Sequence, residues 1–225
     1  MKDIDKVLGY ARSSRLPSQE NPSLSLTTNG LGLNESNADI VAQYLDNIKV
    51  SLFAMDQAYT IVTGGKGSDF SKVKKGIENC IKRNLPVHVQ TSVLVENKEN
   101  LIEMAGLCED IGVSKFTVYS NIEQARGHTL LWERKISDGE IKTIYEGLIE
   151  EKDKKGWNIG IKWLKWPLNG QYILIFQDGR VTANPVNEPP HNYKELGNVL
   201  ESTIDELWRG YDYKYHHIDF YCSRD

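Results

Sequence analysis

The sequence predicts an α/β fold in which successive βα units build a parallel sheet, followed by a small C-terminal extension. Two observations predict it. From Ser23 to about Asn121, short apolar or β-branched runs alternate with stretches of helical period, which is typical of a chain that passes repeatedly from strand to helix. After about Trp157 this alternation is replaced by a hairpin pattern. The 225 residues are enough to bury a substantial core.

Each element of the first region has its own signal. The predicted strands are the apolar or β-branched runs Ser23–Thr27, Ile48–Phe53, Val87–Val93 and Lys115–Val118. The helices between them are the amphipathic stretches Ala38–Tyr44, Asp69–Arg83 and Lys98–Asp110. Two further helices are predicted to flank this region, at Lys2–Arg15 and at Ser137–Lys155.

The second region begins with the signal of a β-hairpin. Tyr172–Phe176 and Val181–Ala183 flank Asp178-Gly179, and this dipeptide supplies the positive φ that a tight turn needs. A short helix is predicted at Thr203–Trp208. The chain is therefore predicted to have two parts, a core of residues 1–156 and an extension of residues 157–225.

Composition argues against several kinds of partner. The net charge is −4 and the isoelectric point about 5.8, so the field of the chain would not attract nucleic-acid phosphates or anionic lipid. No apolar run approaches the roughly 20 residues that span a bilayer, and the segment Met1–Lys6 is charged rather than signal-like. We therefore expect a cytoplasmic protein without a nucleic-acid or membrane partner.

The three cysteines, Cys80, Cys108 and Cys222, are far apart and show no CxxC or CxxxCxxC spacing. Cys80 and Cys108 lie among helix-forming residues, where a lone cysteine is usually a small buried hydrophobe. Cys222 is in the tail, and its role stays open. The spacing predicts that these thiols do not bind a metal together.

Several short motifs follow one another in order along roughly residues 1–127. A Thr-Asn-Gly strand end, a Ser-Leu strand and a glycine-containing helix start occur within Leu26–Gly30, Ile48–Leu52 and Thr63–Phe70. Further segments are Pro86–Val89, Asn97–Leu101, Leu107–Val113 and Ala125–Gly127. In order and spacing, this succession resembles the middle of the core of radical S-adenosylmethionine (SAM) enzymes.

The resemblance implies a partial parallel βα barrel of about four βα units. Family members carry a CxxxCxxC loop and a Gly-Gly-Glu turn upstream of a helix similar to Lys2–Arg15, and neither motif occurs here. The segments Asp178–Val181 and Leu196–Val199 are similar to the extension of radical SAM enzymes that modify peptides or build cofactors. In those enzymes a cluster-binding cysteine often follows the hairpin. Because this chain reads Thr182–Pro185 there, no auxiliary cluster is expected.

The family's chemistry implies SAM as cofactor. Three thiolates hold a [4Fe-4S] cluster, SAM binds the fourth iron, and an electron cleaves SAM to a 5′-deoxyadenosyl radical. This chain has no thiolate triad, so it is not expected to ligate the cluster or to react alone. A SAM half-site is still expected at the carboxyl ends of the strands. By resemblance, its residues are Thr28, Asn29, Ser51, Gln90, Tyr119 and Arg126.

The resemblance gives these residues different parts of SAM to contact. By resemblance, Thr28 and Asn29, which follow the first predicted strand, would lie near the amino-acid moiety. Ser51 and Gln90 would lie near the ribose, whose hydroxyls suit hydroxyl and amide partners. Tyr119 would lie near the adenine.

Several of these positions fit an ordinary local role equally well. Thr28-Asn29-Gly30 is also a common strand-ending turn, and the Ser51 hydroxyl can bind a neighbouring backbone group. Arg126 would pair with the SAM carboxylate, or it is a solvated loop cation. The glycines of Gly64–Gly67 lack the Gly-Lys-Ser/Thr ending of a phosphate loop, which favours a flexible connection.

Three functional hypotheses follow. In the first, the chain is part of a radical SAM enzyme acting on a peptide or protein, either truncated or completed by a polypeptide that carries the cluster. Its exposed sheet edge would then bind that partner, or the chain would self-associate through it. In the second, it is a non-catalytic scaffold that binds a peptide or protein. The third is an unrelated β/α enzyme whose motifs match by chance.

Overall fold

The computed structural model describes residues 3–14, 21–66, 69–120, 136–164, 173–183 and 194–209. The helices are α1 (Ile4–Ser13), α2 (Glu35–Tyr44), α3 (Asp56–Thr63), α4 (Asp69–Ile81), α5 (Leu101–Asp110), α6 (Asp138–Lys155) and α7 (Ile204–Arg209). The strands are β1 (Ser25–Thr28), β2 (Asn47–Ser51), β3 (Val87–Ser92), β4 (Lys115–Tyr119), β5 (Gly160–Leu164), β6 (Ile173–Ile175), β7 (Arg180–Ala183) and β8 (Lys194–Asn198).

Strands β1 to β5 form one parallel sheet in the order of the sequence. The registers run from Ser25 opposite Asn47 at one edge to Tyr119 opposite Leu164 at the other. Crossovers between parallel strands are almost always right-handed, so a sheet wound in one direction has its crossover helices on one face. Among the described residues the sheet does not close into a barrel, and the predicted α/β fold of the partial-barrel type is confirmed.

The main core lies between this sheet and its helices. The buried apolar residues of its strands are Ile48, Val50, Val87, Val89, Phe116, Val118 and Ile161. They pack with buried helix residues that include Ala38, Val41, Val73, Ile77, Met104, Ala105, Ile141 and Leu148. Every second residue of the central strands is therefore buried under the helices, as the period of a strand requires.

Four strands, the three helices between them and both flanking helices appear where the sequence predicted them. Two elements of this sheet region, α3 and β5, were not predicted. Since β5 pairs in parallel with β4, the sheet continues to Leu164, while the proposed division at residues 156/157 stays a prediction. No helix among the described residues is long and apolar enough to cross a membrane.

The chain divides into two compact units, and the second contains the described ranges 173–183 and 194–209. Its strands β6, β7 and β8 form an antiparallel sheet. The predicted hairpin turn is present, with Gly179 in the left-handed region at φ 84°. The backbone amide of Gly179 donates to the carbonyl oxygen of Phe176 at 3.0 Å, which closes the turn. The third strand, β8, was not predicted.

Helix α4 passes very close to the segment that follows β1. A Cβ atom on Gly76 would lie 2.8 Å from the Cβ of Leu33 and 2.9 Å from the carbonyl oxygen of Gly30. One turn further, the side-chain amide of Asn79 donates to the carbonyl oxygen of Leu33 at 3.1 Å. Because backbone cannot move aside as a side-chain tip can, position 76 accepts only glycine without a shift of the helix.

We predict that Gly76→Ala lowers the free energy of unfolding by about 2 kcal/mol, because the added methyl group would overpack this contact. The matched control is Gly147→Ala in α6, where a Cβ meets nothing within 4 Å. That variant should be about 1 kcal/mol more stable, since alanine is the better helix former. Urea denaturation measures both, and equal effects of the two substitutions would contradict the contact.

Candidate functional site

One side of the parallel sheet is polar, and we call it the polar face. Strand residues alternate between the two faces of a sheet. Lys49, His88 and Lys115 are register partners of one another, and they lie on the side opposite the buried residues. Its polar members are Ser25, Thr27, Asn47, Lys49, Ser51, His88, Gln90, Ser92, Lys115, Thr117, Tyr119 and Lys162. All but Thr117 are exposed or half-buried.

Three of the predicted site residues meet at the carboxyl edge of the polar face. Ser51, the last residue of β2, lies in register with Gln90 on β3. The side-chain amide of Gln90 donates to the hydroxyl of Tyr119, the last residue of β4, at 2.7 Å. Since neighbouring strands are about 4.8 Å apart, the three side chains form one continuous polar surface across three strands.

This surface has hydrogen-bonding groups left for a ligand. Among the described residues, the Ser51 hydroxyl and the side-chain carbonyl oxygen of Gln90 make no hydrogen bond, whereas the Tyr119 hydroxyl accepts one and keeps its own proton. Burial raises the pKa of Tyr119 and keeps it a neutral donor near neutral pH. Donors and acceptors of this kind suit hydroxyl groups and the ring nitrogens of a base.

Thr28 and Asn29 are not brought together with these three residues. Thr28 is in register with Val50, on the helix-covered side, and its hydroxyl accepts a hydrogen bond from the backbone amide of Gly30 at 3.2 Å. The Asn29 side chain accepts from the backbone amide of Leu31 at 3.2 Å. Both bonds stabilise the turn after β1, so a contact of either residue with SAM stays a prediction.

Arg126 lies outside the described residues, and its proposed pairing stays a prediction. The glycine-containing segment connects α3 to α4. Gly64 ends α3 in the left-handed conformation at φ 66°, and the backbone amide of Lys66 donates to the carboxylate of Asp69 at 2.8 Å. This segment therefore links two helices rather than following a strand, as a phosphate loop would.

A buried asparagine that the sequence did not single out ties the carboxyl edge together. The side-chain amide of Asn97 donates to the carbonyl oxygens of Phe53, after β2, at 2.8 Å and of Ser92, which ends β3, at 2.9 Å. Its oxygen accepts from the backbone amide of Leu94 at 2.8 Å. Asn97 is only 1% exposed. It acts as a positioning residue, because it fixes the two strand ends that carry Ser51 and Gln90.

The described thiols do not suit an iron–sulfur cluster. Cys80 on α4 and Cys108 on α5 are both fully buried in the core under the helices. Burial raises the pKa of Cys80 to about 11 and raises the pKa of Cys108 as well, whereas a cluster needs thiolates. No group of three His, Cys, Asp or Glu among the described residues could hold a metal ion. Cys222 lies outside the described residues.

Two curated proteins are similar in sequence to part of the chain. Pre-heme d1 synthase of Dinoroseobacter shibae is 29% identical over 106 residues, which are 47% of this chain and 26% of that protein. The probable GTP 3′,8-cyclase of Methanococcus vannielii is 30% identical over 113 residues, which are 49% of this chain and 35% of that protein. The chain therefore matches only about a third or less of each relative. No family model matches it.

Solved structures share the fold at low sequence identity. SuiB of Streptococcus suis bound to the precursor peptide SuiA matches 92% of this chain and 51% of its own, with a TM-score of 0.70 and 15% identity. SuiB bound to SAM matches 96% and 52%, with a TM-score of 0.69 and 15% identity. Native anSMEcpe with bound AdoMet and Cp18Cys peptide matches 92% and 63%, with a TM-score of 0.69 and 16% identity.

The sheet, with its helices on one side and a polar carboxyl edge on the other, has the architecture of a partial βα barrel of the radical SAM type. Both of these relatives and the structural neighbours SuiB and anSMEcpe are radical SAM enzymes. The resemblance that the motif order predicted is therefore confirmed. This chain is similar in sequence to parts of two radical SAM enzymes and similar in fold to SuiB and anSMEcpe.

We predict that Asn97→Ala lowers the free energy of unfolding by about 3 kcal/mol, because it removes three hydrogen bonds and leaves buried backbone groups without a partner. The control is Asn158→Ala, which truncates an exposed side chain and should change stability by less than about 0.5 kcal/mol. Urea denaturation compares the two. A loss below about 1 kcal/mol for Asn97→Ala would show that the strand ends do not depend on this side chain.

We also predict that Cys80 and Cys108 do not react with a disulfide reagent in the native protein near pH 8, because their raised pKa values and burial leave almost no accessible thiolate. The measurement uses the Cys222→Ser variant, so that only these two thiols are counted. Both should react after denaturation. Rapid reaction of either thiol in the folded protein, or a cluster bound after anaerobic addition of iron and sulfide, contradicts the assignment.

Proposed function

We propose that the chain forms part of a radical SAM enzyme that cleaves SAM reductively to a 5′-deoxyadenosyl radical, which acts on a peptide or protein. The observation that carries this proposal is the convergence of Ser51, Gln90 and Tyr119 at the carboxyl edge of the sheet. Ligands of parallel βα folds bind at this edge. When bound, SAM would supply the radical, and the protein would supply its position.

The part of SAM that each residue contacts follows from the groups left free. The Ser51 hydroxyl and the Gln90 carbonyl oxygen would bind the ribose hydroxyls, and the Tyr119 hydroxyl would donate to the adenine. We retain Thr28 and Asn29 as candidates for the amino-acid moiety and Arg126 for its carboxylate. This set makes the chain a half-site, because it would hold the nucleoside without ligating the iron that the amino and carboxylate groups of SAM would chelate.

The cluster would be held by residues outside this chain, either in a longer form of the same polypeptide or in a partner polypeptide. Cys80 and Cys108 do not fit it, so the electron for cleavage would come from outside this chain. Strand β1 offers the docking position: it pairs with β2 only, among the described residues, and its outer edge can accept a further strand. A second copy of the chain is the other candidate for this edge.

A peptide or protein substrate is supported by two neighbours of the same fold. SuiB has been solved with a precursor peptide and anSMEcpe with a peptide. The alternative function is a non-catalytic scaffold that binds a peptide or protein with this same surface. The buried thiols favour that alternative if no cluster-bearing partner exists.

We predict that the chain alone binds SAM without iron, as measured by anaerobic calorimetric titration. Gln90→Ala should weaken binding about tenfold, because it removes a ligand contact and releases the Tyr119 hydroxyl. Ser51→Ala should weaken binding about fivefold through the loss of one hydrogen bond. The control Asn158→Ala should bind as the unaltered protein does.

Thr28→Val tests the remaining assignment, because it removes the hydroxyl and preserves the shape of the side chain. An affinity equal to that of the unaltered protein would remove Thr28 from the site and leave the polar face as the binding surface. The half-site itself is refuted if the unaltered chain shows no heat of binding, or if Gln90→Ala and Ser51→Ala bind SAM unchanged. In that case the non-catalytic scaffold becomes the better description.

A further inference from the structure

A row of basic side chains crosses the middle of the polar face. Lys49 on β2, His88 on β3 and Lys115 on β4 are direct neighbours in register. Lys162 on β5 is in register with Thr117, so it lies two residues nearer the carboxyl edge than the partner of Lys115. We call Lys49, His88, Lys115 and Lys162 the basic row.

In the part of the chain that the structure describes, the basic row has no acidic counterpart. None of the residues of β1 to β5 is Asp or Glu, and among the described residues Lys49, Lys115 and Lys162 form no ion pair. Several lysines elsewhere do form ion pairs, as Lys98 does with Glu140 at 2.6 Å. The whole chain carries a net charge of −4, so the positive charge on this face is opposite in sign to the net charge of the protein.

Holding these groups together costs free energy. All four side chains are half-buried, and like charges repel more strongly where water is partly excluded. Burial lowers the pKa of His88, and the neighbouring charges of Lys115 and Lys49 lower it further. A purely structural surface would be more stable with neutral residues here, so the arrangement is explained best by an anionic ligand that neutralises it.

The spread of the basic row indicates the kind of anion. With about 4.8 Å between strands, Lys49 and Lys115 are about 10 Å apart at their Cα atoms, and Lys162 extends the row by one further strand. A single phosphate would contact only part of it. Lys49 and Lys162 lie two residues, about 7 Å, before the ends of their strands, whereas His88 and Lys115 lie four residues, about 13 Å, before theirs. The row is therefore away from the helix N-termini and glycine loops that usually bind nucleotide phosphates.

Side-chain carboxylates on an extended peptide match this spread better. Alternate residues of an extended chain are about 7 Å apart and face the same way, so two or three Asp or Glu residues would reach successive lysines. Lysine is suited to such contacts, because its flexible ammonium group binds as a point charge without a fixed hydrogen-bonding geometry.

We propose that the polar face binds an acidic peptide segment, with its carboxylates against Lys49, Lys115 and Lys162. This inference rests on the proposed function for the peptide class of the substrate, and it adds the chemical character by which the substrate is recognised. The peptide would lie across the sheet, just below the carboxyl edge where Ser51 and Gln90 would hold SAM.

The test measures the binding of a fluorescein-labelled peptide of about ten residues with four Glu. Binding is measured by fluorescence anisotropy at low salt. The variant Lys49→Gln, Lys115→Gln, Lys162→Gln should weaken binding at least about tenfold. Its matched control, Lys75→Gln, Lys82→Gln, Lys142→Gln, makes the same change in net charge on helices α4 and α6 and the turn after α4. The control should bind the peptide as tightly as the unaltered protein does. Added salt should weaken the binding of the peptide to both of these proteins.

Circular dichroism and urea denaturation establish that the variants fold, and the single substitution Lys115→Gln, with an expected loss of about threefold, serves if the triple variant does not. The same peptide with Gln in place of Glu should not bind. Equal affinities for the two triple variants would overturn the proposal. So would tight binding of a nucleoside triphosphate together with no binding of the acidic peptide.

A parallel titration with SAM separates this inference from the proposed function. Loss of peptide binding with unchanged SAM affinity in the triple lysine variant is the expected result. Peptide binding by a chain that does not bind SAM would support the acidic-peptide site and refute the SAM half-site. SAM binding without any peptide binding would do the reverse.

Discussion

The handedness of the crossover between parallel strands is the constraint on which the rest of this structure depends. Because β1 to β5 follow one another in order, right-handed crossovers bring their helices to a single side of the sheet. The apolar residues of the strands must then face that side, and the alternate residues are free to be polar. The core under the helices and the polar face opposite it are two results of one winding direction.

The sequence predicted the positions of helices and strands better than it predicted which face of the sheet each strand residue occupies. Runs such as Val87–Ser92 alternate clearly with amphipathic helices, and the structure has them within a few residues of their predicted bounds. Helix α3 was missed because it contains β-branched residues that favour strands, and tertiary packing outweighs this preference. Strand β5 was missed because Gly160 and Lys162 interrupt its apolar pattern.

The site illustrates the same limit. Motif order assigned Ser51, Gln90 and Tyr119 to one site, and the structure brings them together near the carboxyl edge, while their role in binding SAM stays a prediction. It could not reveal that Thr28 faces the opposite side, because the face of a residue changes with each step along a strand and depends on the register. Asn97 could not be recognised either, since its partners Phe53 and Ser92 become close only in the folded chain.

The burial of Cys80 and Cys108 has a consequence for how a fold of this kind can evolve. In this chain no described thiol couples folding to a metal, so the architecture can persist through generations in which the redox centre is lost, replaced or moved to another gene. Air, which destroys exposed iron–sulfur centres, would leave this scaffold intact. A lineage that carries it can therefore change its chemistry while it keeps its shape.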